Sequence, residues 1–224
     1  MLFCTTVWAT EPRVPVLVEL FTSEGCSSCP PADELLRKLG EQPVAGVEVI
    51  ALSEHVDYWN RLGWRDPFSA VQFSERQQRY AVQFGINGPY TPQMVVDGRV
   101  EFVGSDSRRL AGALRDAAER AKSPVEITVE GTKLRASAPE GRGEMWLAIT
   151  EDGLETDVSR GENSGRKLRH DAVVRKLVRM GRAPSATMEL GLDASWRREH
   201  LSAIVFLQDP GTRAVTGVAR RRLE

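Results

Sequence analysis

Two cysteines three residues apart, Cys26 and Cys29, sit where an apolar run gives way to a helical pattern. That junction restricts the fold more than any other stretch of the chain. Before it, Val14 to Leu20 is β-branched and apolar and reads as a buried strand. After it, Ala32 to Leu39 puts Leu35, Leu36 and Leu39 on one helical face. Pro30 and Pro31 suit a first helical turn, where a missing N–H costs little. Cysteines at this spacing at a helix start can close one disulfide. The first sulfur would face unpaired backbone N–H groups and the positive end of the helix dipole, which favours thiolate over thiol. Cys26 is therefore the expected attacking sulfur and Cys29 the deeper, resolving one. A structural disulfide and half of a zinc site both stay open on this spacing alone.

A second stretch, Gly85 to Arg99, reads as a loop, a Thr91-Pro92 step, a short apolar strand and an Asp97-Gly98 hairpin turn. Strand, Cys-x-x-Cys, helix and a later proline opening an antiparallel strand is the order of a thioredoxin-like fold, which the chain resembles. The resemblance implies that Pro92 is cis and lies against the sulfurs, with the backbone of Thr91 free to pair with a substrate chain. The strings Glu19 to Asp33, Glu54 to Trp59, Gly63 to Phe68 and Thr91 to Gln93 resemble one branch more closely. That branch is the bacterial secreted thioredoxin-like family catalogued as domain of unknown function 1223. The resemblance covers most of the chain and implies a fold and a redox role; it supplies no substrate.

The remaining organisation follows in chain order. Val47 to Leu52 reads as a second strand parallel to the first, and the loop at its carboxyl end holds Glu54, His55, Asp57, Tyr58 and Trp59. Ligand-facing loops of open α/β sheets lie at that end, so these residues are expected near the sulfurs. A helix is expected from Pro67 to about Phe84, closed by Gly85. A last one, capped by Ser105-Asp106-Ser107, should run to about Lys122. Beyond Ser123-Pro124 the pattern changes to short alternating strands. The expected domains are a thioredoxin-like α/β domain at 13–122 and a small all-β, immunoglobulin-like sandwich at 123–224. Within the second, Leu168 to Met180 favours strand over helix because of Val173, Val174 and Val178. The polar Ser159 to Lys167 loop reads as a solvated hairpin, with a partner-binding tip as the alternative, and Arg220 to Arg222 as a solvated tail.

Net charge is −1, from 30 basic and 31 acidic side chains, which argues against a nucleic-acid partner. No apolar run is long enough to span a bilayer. Residues 1–12 resemble the end of a secretory leader, with Val7-x-Ala9 as a cleavage signal that would remove Cys4. The expectation is a periplasmic or secreted protein, or a cytoplasmic one if the N-terminus is complete.

The expected activity is thiol–disulfide exchange through Cys26 and Cys29, with Thr91 and Pro92 aligning the substrate and Glu24, Glu54, His55, Asp57 and Trp59 in support. No cofactor and no metal is expected; the partners are a protein or small thiol or disulfide and a redox partner protein. The alternatives are a peptide- or ligand-binding module with a structural disulfide, or a zinc site built from Cys26, Cys29, His55 and Asp57.

Overall fold

The computed structural model describes residues 13–42 and 44–223. The expected leader remnant at 1–12, with Cys4, lies outside the described residues.

The first half runs β1 (Val14–Thr22), α1 (Pro30–Glu41), β2 (Val47–His55), α2 (Val71–Phe84), β3 (Gln93–Val96), β4 (Val100–Val103) and α3 (Ser107–Ala118). β1 pairs in parallel with β2 and antiparallel with β3, and β3 pairs antiparallel with β4. Alternate residues of a buried strand serve opposite faces, and β1 is apolar on both. Val16, Val18 and Leu20 pack with Leu36 of α1 and Leu110 and Leu114 of α3. Leu17 and Phe21 face the other way, toward Phe73 and Tyr80 of α2.

Local chemistry sets the helix ends. The Asp106 carboxylate caps α3 by accepting the Arg109 N–H at 2.9 Å. Gly85 closes α2 in the left-handed region, at φ 63°. α2 starts at Val71 rather than at Pro67, because Asp66 accepts the Phe68 N–H at 2.9 Å and holds the preceding residues as a turn. α3 stops at Ala118 rather than Lys122; Lys122 instead reaches the buried carboxylate of Asp97. The Asp97-Gly98 turn has φ of 50° and 63°, and a Cβ on Gly98 would collide with the Arg213 carbonyl of the other half.

The second half runs β5 (Glu126–Glu130), β6 (Lys133–Ser137), β7 (Glu144–Glu151), β8 (Leu154–Asp157), β9 (Lys167–His170), β10 (Val173–Arg182), β11 (Ser185–Glu189), β12 (Leu201–Gln208) and β13 (Val215–Arg222). These strands do not stand apart from the first half. The main sheet has eight strands in the order β13-β12-β7-β10-β2-β1-β3-β4. β10 meets β2 in parallel at Val173 and Ser53, where the Ser53 N–H donates to the Ala172 carbonyl at 2.8 Å. An uncovered β2 would offer unpaired donors and acceptors along its edge, and β10 covers its carboxyl end.

One core crosses the expected boundary at residue 123: Leu17, Phe21 and Leu52 pack in the same cluster as Ala148, Leu177 and Phe206. A three-stranded sheet, β11-β6-β5, covers the opposite face through Leu134, Ala136, Leu147, Ile149 and Val205. Two β layers therefore pack face to face, but the larger layer is the sheet that begins in the first half. Arg220 to Arg222, expected as a tail, pair with Ser202 to Ile204 inside β13. β8 and β9 form a separate two-stranded ribbon. Among the described residues, no helix is long and apolar enough to cross a membrane.

Candidate functional site

β1 ends at Thr22, and the chain turns through Ser23-Glu24-Gly25 into the cysteines. The Cys26 N–H donates to the Ser23 carbonyl at 3.1 Å and the Cys29 N–H to the Cys26 carbonyl at 3.2 Å. Cys29 is the N-cap of α1, with Pro30 and Pro31 in the first turn. Cys26 and Cys29 form a disulfide with Cα atoms 5.4 Å apart. Both sulfur residues are buried, Cys26 at 1% exposure and Cys29 at 0%, while Ser27 and Ser28 between them are exposed. The expected contrast between an open Cys26 and a deep Cys29 is therefore absent in the oxidised form.

The alternation of β2 sorts the expected supporting residues. His55 pairs with Thr22 in register and shares the α1 face, whereas Glu54 turns to the α2 face. There Glu54 lies 3.4 Å from the Arg76 guanidinium, away from the disulfide, which corrects its expected place. Asp57 also points elsewhere: its carboxylate accepts the Ser74 hydroxyl at 2.5 Å and anchors the loop to α2. Of the four residues of the expected zinc site, Asp57 is thus drawn away to α2, and Cys26 and Cys29 are joined to each other as a disulfide. Among the described residues no three His, Cys, Asp or Glu side chains converge on a metal position.

Trp59 joins the two loops that were expected to meet. Its indole N–H donates to the Thr91 hydroxyl at 2.8 Å, and a Cβ on Gly25 would lie 3.0 Å from the Trp59 Cβ. The Thr91–Pro92 peptide is cis. Pro92 is buried, its carbonyl accepting the Gly104 N–H at 2.9 Å, and a Cβ on Gly104 would touch both Pro92 and Ala32 of α1. The Thr91-Pro92 loop therefore stands beside the first turns of α1.

Beneath the cysteine loop lies a cluster of five buried ionisable side chains: Glu24, Asp33, His55, Asp66 and His170. Glu24 accepts the Trp64 indole N–H at 2.8 Å, and one of its oxygens lies 3.2 Å from His170 Nε2. His55 Nδ1 is 2.7 Å from Asp66, and the two imidazole rings meet edge to face at 4.8 Å. Burial alone would push the Asp66 carboxyl up; the His55 imidazolium and the N–H groups of Glu24 and Phe68 overcome that and hold it below its usual range. Burial likewise pulls His55 down, and Asp66 more than reverses it, so the imidazole titrates above its ordinary value. The two directions agree on an ionised pair. Burial raises the Asp33 carboxyl despite the lowering influence of His170 and His55. Four buried polar atoms here have no hydrogen-bond partner among the described residues: Thr22 Oγ1, Asp33 Oδ1, His55 Nε2 and His170 Nδ1.

Sequence reasoning had found Glu24 and His55 of this cluster but not Asp33, Asp66 or His170. His170 was visible as a polar residue in phase with the inward Leu168 of β9, a breach of the alternating pattern. The Ser159 to Lys167 loop is not simply solvated: the Asn163 side chain is buried and donates to the carbonyls of Glu24 and Cys26, at 2.8 and 2.9 Å.

A family model described as a protein of unknown function (DUF1223) matches residues 17–208. Among solved structures, protein AGR_C_4864 from Agrobacterium tumefaciens is similar at TM-score 0.78 and 29% identity, covering 94% of this chain and 95% of that one. HBP35 of Porphyromonas gingivalis is similar in fold at TM-score 0.64 and 13% identity, covering 94% and 76%. No curated protein matches.

Proposed function

The chain belongs to the family of proteins of unknown function DUF1223, and from that premise we propose that it is a thiol–disulfide oxidoreductase built on a thioredoxin-like half. The observation that carries the reading is the Cys26–Cys29 disulfide at the first turn of α1, set over a buried ionisable cluster. In the reducing direction the Cys26 thiolate attacks one sulfur of a substrate disulfide. That S–S bond breaks, one substrate sulfur leaves as thiolate, and a mixed disulfide forms. Cys29, after losing its proton, attacks Cys26 Sγ; the second substrate thiolate leaves and the Cys26–Cys29 bond forms. Two electrons pass from the cysteine pair to the substrate. Asp33 follows Cys29 by one turn, its N–H on the Cys29 carbonyl at 3.2 Å, and is the carboxyl we assign to the Cys29 proton. Trp59 and Thr91 form the rim on which a substrate chain would rest, and among the described residues the Thr91 N–H and C=O take no hydrogen-bond partner. Ser27 and Ser28 place no charge between the sulfurs, so we assign a reducing or isomerising poise. The reading fits an exported protein acting in the periplasm or outside the cell.

The test is the pH dependence of Cys26 alkylation by iodoacetamide in the reduced Cys29→Ser variant. A midpoint well below the free-cysteine value of about 8.5 is expected. A second reading draws on the burial of both sulfurs: a peptide- or ligand-binding module in which the disulfide only staples the loop. A normal or raised midpoint would overturn the first reading in favour of the second.

A further inference from the structure

The β8–β9 ribbon lies across the cysteine loop and holds it at successive residues. Gly161, at φ 76°, brings the tip backbone against Trp64; a Cβ there would lie 3.0 Å from the Trp64 Cβ. The Glu162 carboxylate accepts the Ser27 N–H at 2.9 Å. The Asn163 carboxamide, at 0% exposure, donates to the carbonyls of Glu24 and Cys26 and accepts from Arg166 at 2.8 Å. At the far end of the ribbon His170 meets the Glu24 carboxyl. Cys26 is left at 1% exposure. In-line attack at a sulfur needs an open approach along the S–S axis, and a buried disulfide lacks one.

The groups the tip offers are those of a polypeptide backbone: an amide N–H donor for the carbonyl of Cys26 and an oxygen acceptor for the N–H of Ser27. Glutathione presents only the two amides that flank its cysteine, whereas a longer chain can continue the pairing on both sides of the sulfur. Resting on the oxidoreductase reading, we propose that residues 160–165 are an internal occupant of the substrate cleft. The tip lifts for Cys26 to react, and the substrate class is a cysteine-containing polypeptide whose backbone takes its place. Glu162 sits on the exposed rim and Asn163 at the buried centre, so Asn163 carries most of the hold.

The experiment follows reduction of the oxidised full chain by glutathione, with quenched alkylation and mass measurement. Wild type should react slowly, Asn163→Ala about tenfold faster for the loss of two hydrogen bonds, and Glu162→Gln about twofold faster. Equal rates for wild type and a folded Asn163→Ala would overturn the cap. Should Asn163→Ala fail to fold, the Cys29→Ser chain trapped as a mixed disulfide with a seven-residue cysteine peptide replaces it. Hydrogen exchange at Ser164 and Gly165, whose N–H groups bond Gly161 and Val158, should then rise at least tenfold over the oxidised wild-type chain. Unchanged exchange would overturn the proposal. Reduced wild type should also turn over a peptide disulfide faster than oxidised glutathione, and the reverse order would overturn the polypeptide assignment. These readouts separate the two levels. A gated Cys26 in a protein that turns over no disulfide would sink the oxidoreductase reading, whereas ungated but active protein would sink the cap alone.

Discussion

The sheet buries an ionisable cluster on each face, and the two are built on different plans. On the α2 face Arg76, fully buried, lies 2.6 Å from Glu19 and 3.4 Å from Glu54. It donates to Gln208 and Tyr80 at 3.1 and 3.2 Å, and it sits over the rings of Tyr80, Trp146 and Phe206. Burial would lower the guanidinium, but Glu19, Tyr80 and Glu54 raise it, so its charge is fixed. Glu54 is pushed well up toward the neutral acid by burial, against the pull of Arg76. One cation thus serves one carboxylate and one acid, and it draws residues from α2, β1, β2, β7 and β12 together. On the α1 face the cation is the His55 imidazolium, a group that can lose its proton where a guanidinium cannot. Among the described residues both imidazoles keep an unpartnered ring nitrogen, His55 Nε2 and His170 Nδ1; unpartnered atoms also occur on the α2 face, at Glu54 and Trp146. The first cluster joins the two halves of the molecule. The second lies under a disulfide and keeps spare valence for protons, which is where perturbed groups serve chemistry.

The comparison breaks most visibly at Arg76. Arg76→Met leaves Glu19 without its cation inside the core, and removing one partner of a buried ion pair costs about 3–5 kcal/mol. Urea unfolding should show that loss, while the alkylation midpoint of Cys26 stays where it is. A loss below about 1 kcal/mol would mean that the α2 cluster does not hold the halves together.

Asp66→Asn should cost less, about 2–3 kcal/mol, because it removes a charged hydrogen bond to His55 and weakens two to backbone N–H groups. Its pH signature identifies it. Asp66 is held below its unfolded value, so its contribution is present above about pH 4 and is lost as pH falls through the folded value. His55 is held above its unfolded value, so its contribution is full below about pH 6.5 and is lost as pH rises through the folded value. The stability gap between wild type and variant should therefore be widest at about pH 5–6 and narrow on either side. A gap flat with pH would show that the pair is not ionised.

How much of this the sequence revealed depends on the range of the interaction. The strand into Cys26, the helix after it, the Asp97-Gly98 turn and the Asp106 cap follow from neighbours within a few residues, and all were legible. The union of the two halves was not. It rests on long-range contacts that no local pattern announces, among them the parallel bridge between Ser53 and Val173, Arg76 finding Gln208, and the core shared by both halves. The site divides in the same way. Cys26, Cys29 and Trp59 could be placed from the loop positions, but Glu54 and His55, expected in a loop after Leu52, belong to β2, whose alternation sends His55 toward the disulfide and Glu54 to the other face. Asn163 came from a loop whose composition reads as solvent, and only the fold brings it over Cys26.

Asp33 gives the smallest effect and the sharpest contrast between the clusters. Its carboxyl is buried in the first turn of α1, one oxygen has no partner, and burial raises its folded pKa above the unfolded 3.8. The native state then holds the proton more tightly than the unfolded chain, so stability falls as pH rises from about 4 through the folded value. Asp33→Asn removes that dependence. The variant should match wild type near pH 3 and exceed it by about 1 kcal/mol at pH 7, within the range of buried polar groups left unsatisfied. Thermal unfolding across that range measures it. The same variant should slow disulfide formation from the Cys26 mixed disulfide, because the group assigned to the Cys29 proton is gone. A gain in stability with a loss in exchange rate is the trade expected of a functional carboxyl. A loss of stability at neutral pH would instead put Asp33 in the company of Glu19, a charge the fold needs, and the two clusters would no longer differ in kind.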